Sequence, residues 1–229
     1  MPSVRRNRMK WFVIAMDKEA APVVAAMSAV KERKICGKRV IYGTLSGEQV
    51  AVIVCGVGKV NAACGAQMAL DNGATSIINI GFAGGLNNSL EIGKIYSISA
   101  AVQYDFDLTQ LNGGVIGTLD ECSENYLPLA TSSPFPSKKL ATGDRFNDSK
   151  EDFRLLTEVL GADIRDMEGG AIAQACMHGG AKFYSFKVIS DLAGSGSTTE
   201  QFLNNLEICA NSVKDNIVKI IDALNGGSR

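Results

Sequence analysis

The chain has 229 residues, 46% hydrophobic and 21% charged, with a formal net charge of −1, the make-up of an ordinary globular α/β protein with no linker dividing it. Four of its 23 basic residues (Arg5, Arg6, Arg8, Lys10) fall in the first ten positions, so the remainder carries 19 basic against 24 acidic residues, and a nucleic-acid groove is not expected. The apolar run after that basic start, Trp11 to Met16, is too short for a signal peptide, and no stretch approaches the ~18 apolar residues of a membrane span.

Taken in order, residues 1–9 read as a disordered leader, 10–225 as one domain, and 226–229 as a tail that frays. Trp11 to Ala15 is expected as a buried strand, followed by a helix capped by Asp17 and running to about Ala29. Lys38–Leu45 and Gln49–Cys55, joined by Ser46-Gly47, form a hairpin pattern. Gly56-Val-Gly58 leads into a helix from Lys59 to about Asp71. Ser76 to Ile80 is a short strand entering the glycine-rich Gly81-Phe-Ala-Gly-Gly85. A strand over Ile92–Val102 precedes loops spanning 111–136, and Lys139–Thr142 is a strand entering Gly143-Asp-Arg-Phe146. A helix near Ser149–Leu160 and a short strand, Ala162–Arg165, follow. Asp166 caps a helix that Gly179-Gly180 stops, and Phe183–Ser190 is a buried strand ending on Asp191. The last helix opens with the capping box Ser197-Thr-Thr-Glu200 and carries an apolar stripe from Phe202 to Leu224. This alternation predicts an α/β fold, a three-layer αβα sandwich around a central mixed, mostly parallel sheet.

Six cysteines are scattered without metal-ligand spacing and there is a single His, so no metal or other cofactor is expected. Reduced, mostly buried thiols suit a cytoplasmic protein. Gly56-Val-Gly-Lys-Val-Asn61 lacks the Ser or Thr of a P-loop and the third glycine of a dinucleotide fingerprint, so a tight turn is favoured. Gly81–Gly85 reads equally as a turn or as backbone that approaches a ligand closely. Glu19 and Glu168 lie in first helical turns, where a carboxylate is favoured whatever its role. His178, at a helix C-terminus, reads as structural. Asp191 is different: Ser197 already takes the cap of the next helix, so a carboxylate at this strand end must be hydrogen-bonded or titrating.

Five motifs in order, Gly56-Val-Gly-Lys-Val-Asn-Ala-Ala63, Asn79-Ile-Gly-Phe-Ala-Gly-Gly-Leu86, Gly143-Asp-Arg-Phe146, Asp166-Met-Glu-Gly-Gly-Ala171 and Val188-Ile-Ser-Asp191, resemble the nucleoside phosphorylase superfamily, and most closely its 5′-methylthioadenosine/S-adenosylhomocysteine nucleosidases. The resemblance runs from about Lys10 to Leu224. It implies a homodimeric hydrolase that takes a small-molecule nucleoside, with no nucleic-acid or membrane partner, and releases adenine. In that scheme Asp191 protonates N7 of the base, Ser190 orients it, and Glu19 activates water. Glu168 holds the ribose hydroxyls, Met167 packs on the sugar, Phe146 stacks on the purine, and backbone at Asn147, Ala83 and Gly84 lines the base. Phosphorylases of this type carry Arg and Ser or Thr where this chain has Asn79 and Phe82, which favours water over phosphate as nucleophile. Phe82 also replaces a usual Ser, Tyr104-Asp105 a usual His-Asp, Asn147 an aliphatic residue, and Leu111 an aromatic from a neighbouring subunit. Two alternatives remain: a phosphate-dependent phosphorylase and a non-catalytic nucleoside-binding protein of the same fold.

Overall fold

The computed structural model describes residues 9–131 and 134–226; the expected leader up to Arg8 and the last three residues of the expected tail lie outside them. Ten strands join in one sheet. The first, β1 (Lys10–Ile14), lies between and parallel to β4 (Glu48–Val54) and β5 (Ser76–Gly85). Its side chains alternate, as the period of two requires. Phe12 and Ile14 enter a core with α1 (Asp17–Ala25) and α6 (Thr198–Gly226). Trp11 and Val13 enter a second core with α2 (Lys59–Asp71) and α5 (Gly169–Gly179).

Two elements depart from expectation early in the chain. Helix α1 ends at Ala25, and Ser28–Ile35 forms a strand, β2, antiparallel to β3 (Lys38–Leu45). Its Lys-Glu-Arg-Lys sequence is exposed along almost its whole length, so no apolar alternation marks it; charges on an edge strand discourage pairing with other chains. The N-cap of α1 is Met16 and not Asp17. Met16 N–H donates to Glu19 Oε2 at 2.9 Å, while Asp17 turns outward to pair with Arg39.

The glycine-rich segment after Ile80 is neither turn nor loop. Strand β5 continues to Gly85 because its backbone pairs in parallel with β10 (Lys182–Leu192) along its length and, at Gly84 and Gly85, with β9 (Ile164–Asp166). An added Cβ at Gly84 would lie 2.9 Å from Asp191 Oδ1, and one at Gly85 would lie 2.7 Å from Leu192 Cδ2, so both positions must stay bare for the strands to approach.

In place of an open central layer, the sheet closes. β5 pairs with β9, β9 with β8 (Ser137–Thr142), β8 with β6 (Ile95–Gln103), and β6 with β10, which returns to β5. Five of the ten pairings are parallel, so the sheet is evenly mixed where a mostly parallel one was expected. The circuit depends on β9, three residues long, which sits beside the second half of β5 while β1 sits beside the first half. Residues at or just past the carboxyl-terminal ends of β1 and β9, among them Ala15, Arg165 and Asp166, thus come to line one cavity.

Between β6 and β8 lie α3 (Thr109–Asn112) and the two-residue β7 (Leu127–Pro128), the loop-bearing excursion expected there. Helix α4 (Lys150–Arg154) is capped by Ser149, whose Oγ accepts from Asp152 N–H, and continues into a π-helical turn over Leu155–Val159. The stripe on α6 is as read: Cys209, Val213, Ile217, Ile220 and Leu224 are buried against β10 and α1. The cysteines are less sheltered than expected. Cys55, Cys176 and Cys209 are buried, Cys122 is intermediate, and Cys36 and Cys64 are exposed. Among the described residues no helix is long and apolar enough to cross a membrane.

Candidate active site

The carboxyl-terminal ends of β1, β5, β9 and β10 converge on a cavity of about 450 Å³, roofed by Phe202 and Leu203 of α6. Every residue expected at the site lines it except Asn147. That side chain is turned away: its amide donates to Asp152 Oδ2 at 2.9 Å and its carbonyl accepts from Ser149 N–H. Phe146 lies edge-on to Phe202 with ring centroids 5.7 Å apart and is half exposed at the rim.

Asp191 follows a register shift in β10 between Ile189 and Asp191, and its carboxyl lines the cavity. Ser190 Oγ donates to its Oδ2 at 2.8 Å. The other oxygen, Oδ1, is buried without a hydrogen-bond partner. Burial pushes the Asp191 carboxyl above its ordinary range, against the opposing pull of Ser190 and Arg165.

Glu19 is buried on the β1 side. Its Oε2 caps α1 and its Oε1 accepts from Phe82 N–H at 2.7 Å. Phe82 therefore serves Glu19 through its backbone, while its ring lines the cavity. Gly81 leaves the room this needs, since a Cβ there would sit 3.0 Å from Glu19 Oε1 and 3.3 Å from Lys187 Nζ. Burial also raises the Glu19 pKa.

Glu168 occupies the N-cap position of α5 but does not cap it. Its Oε1 accepts from Gly58 N–H at 2.9 Å, across 110 residues of sequence. Gly56 and Gly58 have φ of 95° and 97°, so the Gly-Val-Gly segment is the tight turn favoured above, bent to aim one N–H at this carboxylate. The capping expected of Asp166 does occur, from just outside the helix. Asp166 Oδ2 accepts from Gly169 N–H at 2.8 Å, and its Oδ1 accepts from Thr142 Oγ1.

Sequence reading missed Lys187. Its ammonium lies 2.7 Å from Asp166 Oδ2, both side chains being 1% exposed. The available signal was a single charge in the middle of the apolar run Phe183–Ser190. Burial acts to deprotonate this lysine, but Asp166, Glu168 and Glu19 outweigh it and keep it charged. One cation among three carboxylates leaves an excess of negative charge. Burial and Asp166 accordingly lift Glu168 to about 7.

That shift has a stability consequence whose sign is fixed. The folded state holds a proton on Glu168 that the unfolded chain has released, so its contribution is complete below the ordinary carboxylate pKa of 4.5 and is lost as pH rises towards about 7. Glu168→Gln keeps an acceptor for Gly58 N–H and carries no charge. Its unfolding free energy is expected to exceed that of the wild type at pH 8 by on the order of 3 kcal/mol, read from thermal or urea unfolding, with the gap closing by pH 4.5. A gap that does not change with pH would contradict this assignment.

His178 is on the outside of α5, 3.0 Å from Glu121 Oε1, in the structural place expected of it.

Residues 11–223 match the model of the phosphorylase superfamily, and the chain belongs to that superfamily. It is 32% identical over 211 residues to the 5′-methylthioadenosine/S-adenosylhomocysteine nucleosidase of Halalkalibacterium halodurans, covering 85% of this chain and 90% of the relative. The enzyme of the same name from Geobacillus kaustophilus is also 32% identical, over 82% of this chain and 87% of its own. Among solved structures, the nucleosidase of that name from Colwellia psychrerythraea in complex with adenine superposes with a TM-score of 0.87 at 26% identity, covering 95% of this chain and 96% of that one.

Proposed function

We propose that the protein hydrolyses the N-glycosidic bond of a purine nucleoside, 5′-methylthioadenosine or S-adenosylhomocysteine, and releases adenine. The observation that carries this reading is the pairing of two buried carboxyls with raised pKa in one cavity, Asp191 with a free oxygen and Glu19 on the opposite, β1 side. The bond from the sugar C1′ to the base nitrogen breaks and its electron pair leaves with the base. Asp191 delivers a proton to N7, so the base departs neutral. Water adds to C1′ and gives its proton to Glu19, and solvent exchange resets both groups. Ser190 orients Asp191, Glu168 accepts from the ribose hydroxyls, Met167 packs on the sugar, and Phe146 stacks on the base with backbone at Ala83 and Gly84 along its edge.

Water is favoured over phosphate by where Asn79 goes. Its amide donates to Val13 carbonyl at 2.9 Å and its oxygen accepts from Ser185 Oγ, both inside the core. Phe82 brings no hydroxyl, and the buried ammonium of Lys187 is committed to Asp166. A homodimer in the cytoplasm completes the proposal; the apolar side chains Leu111 and Val60, 84% and 75% exposed, suit cover by a second copy.

The test is a panel of purine nucleosides incubated with and without phosphate, with free base followed by chromatography. Free adenine and free sugar are expected at a rate indifferent to phosphate. Release that requires phosphate and yields a sugar 1-phosphate would overturn hydrolysis, and tight binding with no release would make the protein a binder.

A further inference from the structure

Among the described residues, two buried side-chain polar atoms lack any hydrogen-bond partner, and they face each other in the same cavity: Arg165 Nη2 and Asp191 Oδ1. They stand 3.9 Å apart, within ion-pair reach but beyond a hydrogen bond, with side chains 11% and 3% exposed. A buried guanidinium N–H left unsatisfied is costly, and chains keep such groups where something else completes them. Arg165 projects from β9 across the bare backbone of Gly84: a Cβ there would lie 3.0 Å from Arg165 Nε and 2.9 Å from Asp191 Oδ1. The glycine thus gives both groups access to the same end of the cavity.

The chemistry of the pair defines what fits between them. Asp191, when protonated to act as the acid, offers one donor through Oδ1, since Oδ2 is held by Ser190. Arg165 offers a second donor. A purine with an amino group at C6 presents N7 as an acceptor for Asp191 but only an N–H beside it, which leaves the Arg165 donor unpaired. A purine with an oxo group at C6 presents two adjacent acceptors, N7 and O6, one for each protein donor. We infer that Arg165 is a specificity-determining residue at the base end of the cavity and that it admits 6-oxopurine nucleosides as substrates beside the 6-aminopurine ones. This rests on the nucleosidase reading and extends its substrate class.

The experiment compares kcat/KM for 5′-methylthioinosine and 5′-methylthioadenosine in the wild type, Arg165→Met and Arg165→Lys. The wild type is expected to release hypoxanthine from the first and adenine from the second. Arg165→Met should lower the oxo-to-amino ratio by roughly 10- to 100-fold, the worth of a hydrogen bond from a charged donor, with partial recovery in Arg165→Lys. Turnover of the adenosine compound with a ratio unmoved by Arg165→Met would overturn this inference and leave the nucleosidase reading standing. Turnover of neither compound would overturn both. Should Arg165→Met fail to fold, calorimetric binding to the wild type decides: hypoxanthine binding at least as tightly as adenine supports the inference, and adenine binding alone overturns it.

Discussion

Asp191→Asn lowers kcat for base release by roughly 10²- to 10⁴-fold, the usual worth of a positioned general acid, and changes KM little. The amide matches the carboxyl in shape and Ser190 Oγ can still donate to its oxygen, as it does to Oδ2 at 2.8 Å. What it lacks is a proton to give. The pH profile separates this role from a merely structural one. Burial holds the Asp191 carboxyl above its ordinary range, so the wild-type rate falls as pH rises through that elevated value while the residual rate of the variant does not. An Asn variant with full turnover would end the mechanism proposed here, whatever the fold.

The second large effect is on stability. Lys187→Met keeps much of the volume of a side chain buried in the middle of β10 and removes the cation 2.7 Å from Asp166. Asp166 keeps its bonds from Thr142 and Gly169, but Glu19, Asp166 and Glu168 are left without a counter-charge. Removing one partner of a buried ion pair costs about 3–5 kcal/mol, and urea denaturation at pH 7.5 should show a loss of that size. Acidification should narrow it, because the folded variant takes up protons that the unfolded chain does not. A loss under about 1 kcal/mol would mean that Lys187 is not what balances these carboxylates.

The contrast between β2 and β10 shows which features sequence could reveal. β10 is an apolar, β-branched run because both its faces are covered, and it was legible for that reason. β2 is charged and exposed, held by ladder hydrogen bonds to β3, and backbone pairing leaves no mark on side-chain pattern. The same limit hid the extension of β5, since glycines carry no periodicity.

At the site, Asp191, Glu19 and Glu168 could be picked out singly, each a carboxylate where a strand ends or a helix begins. Their meeting could not. Glu168 reaches Gly58 and Glu19 reaches Phe82 only because β1 and β9 sit beside successive halves of β5. Arg165 and Lys187 were passed over because a lone charge in a strand says nothing about which charge it will face.

By itself, then, the sequence determined the order of most elements, the apolar faces that pack them, and the residue types available for acid–base chemistry, because these follow from local propensity and periodicity. Only the tertiary structure decided that the sheet closes, that Lys187 neutralises Asp166, and that Arg165 and Asp191 are left facing one another unsatisfied. Those outcomes depend on distances and burial between segments far apart in the chain, and electrostatic energies are set by both.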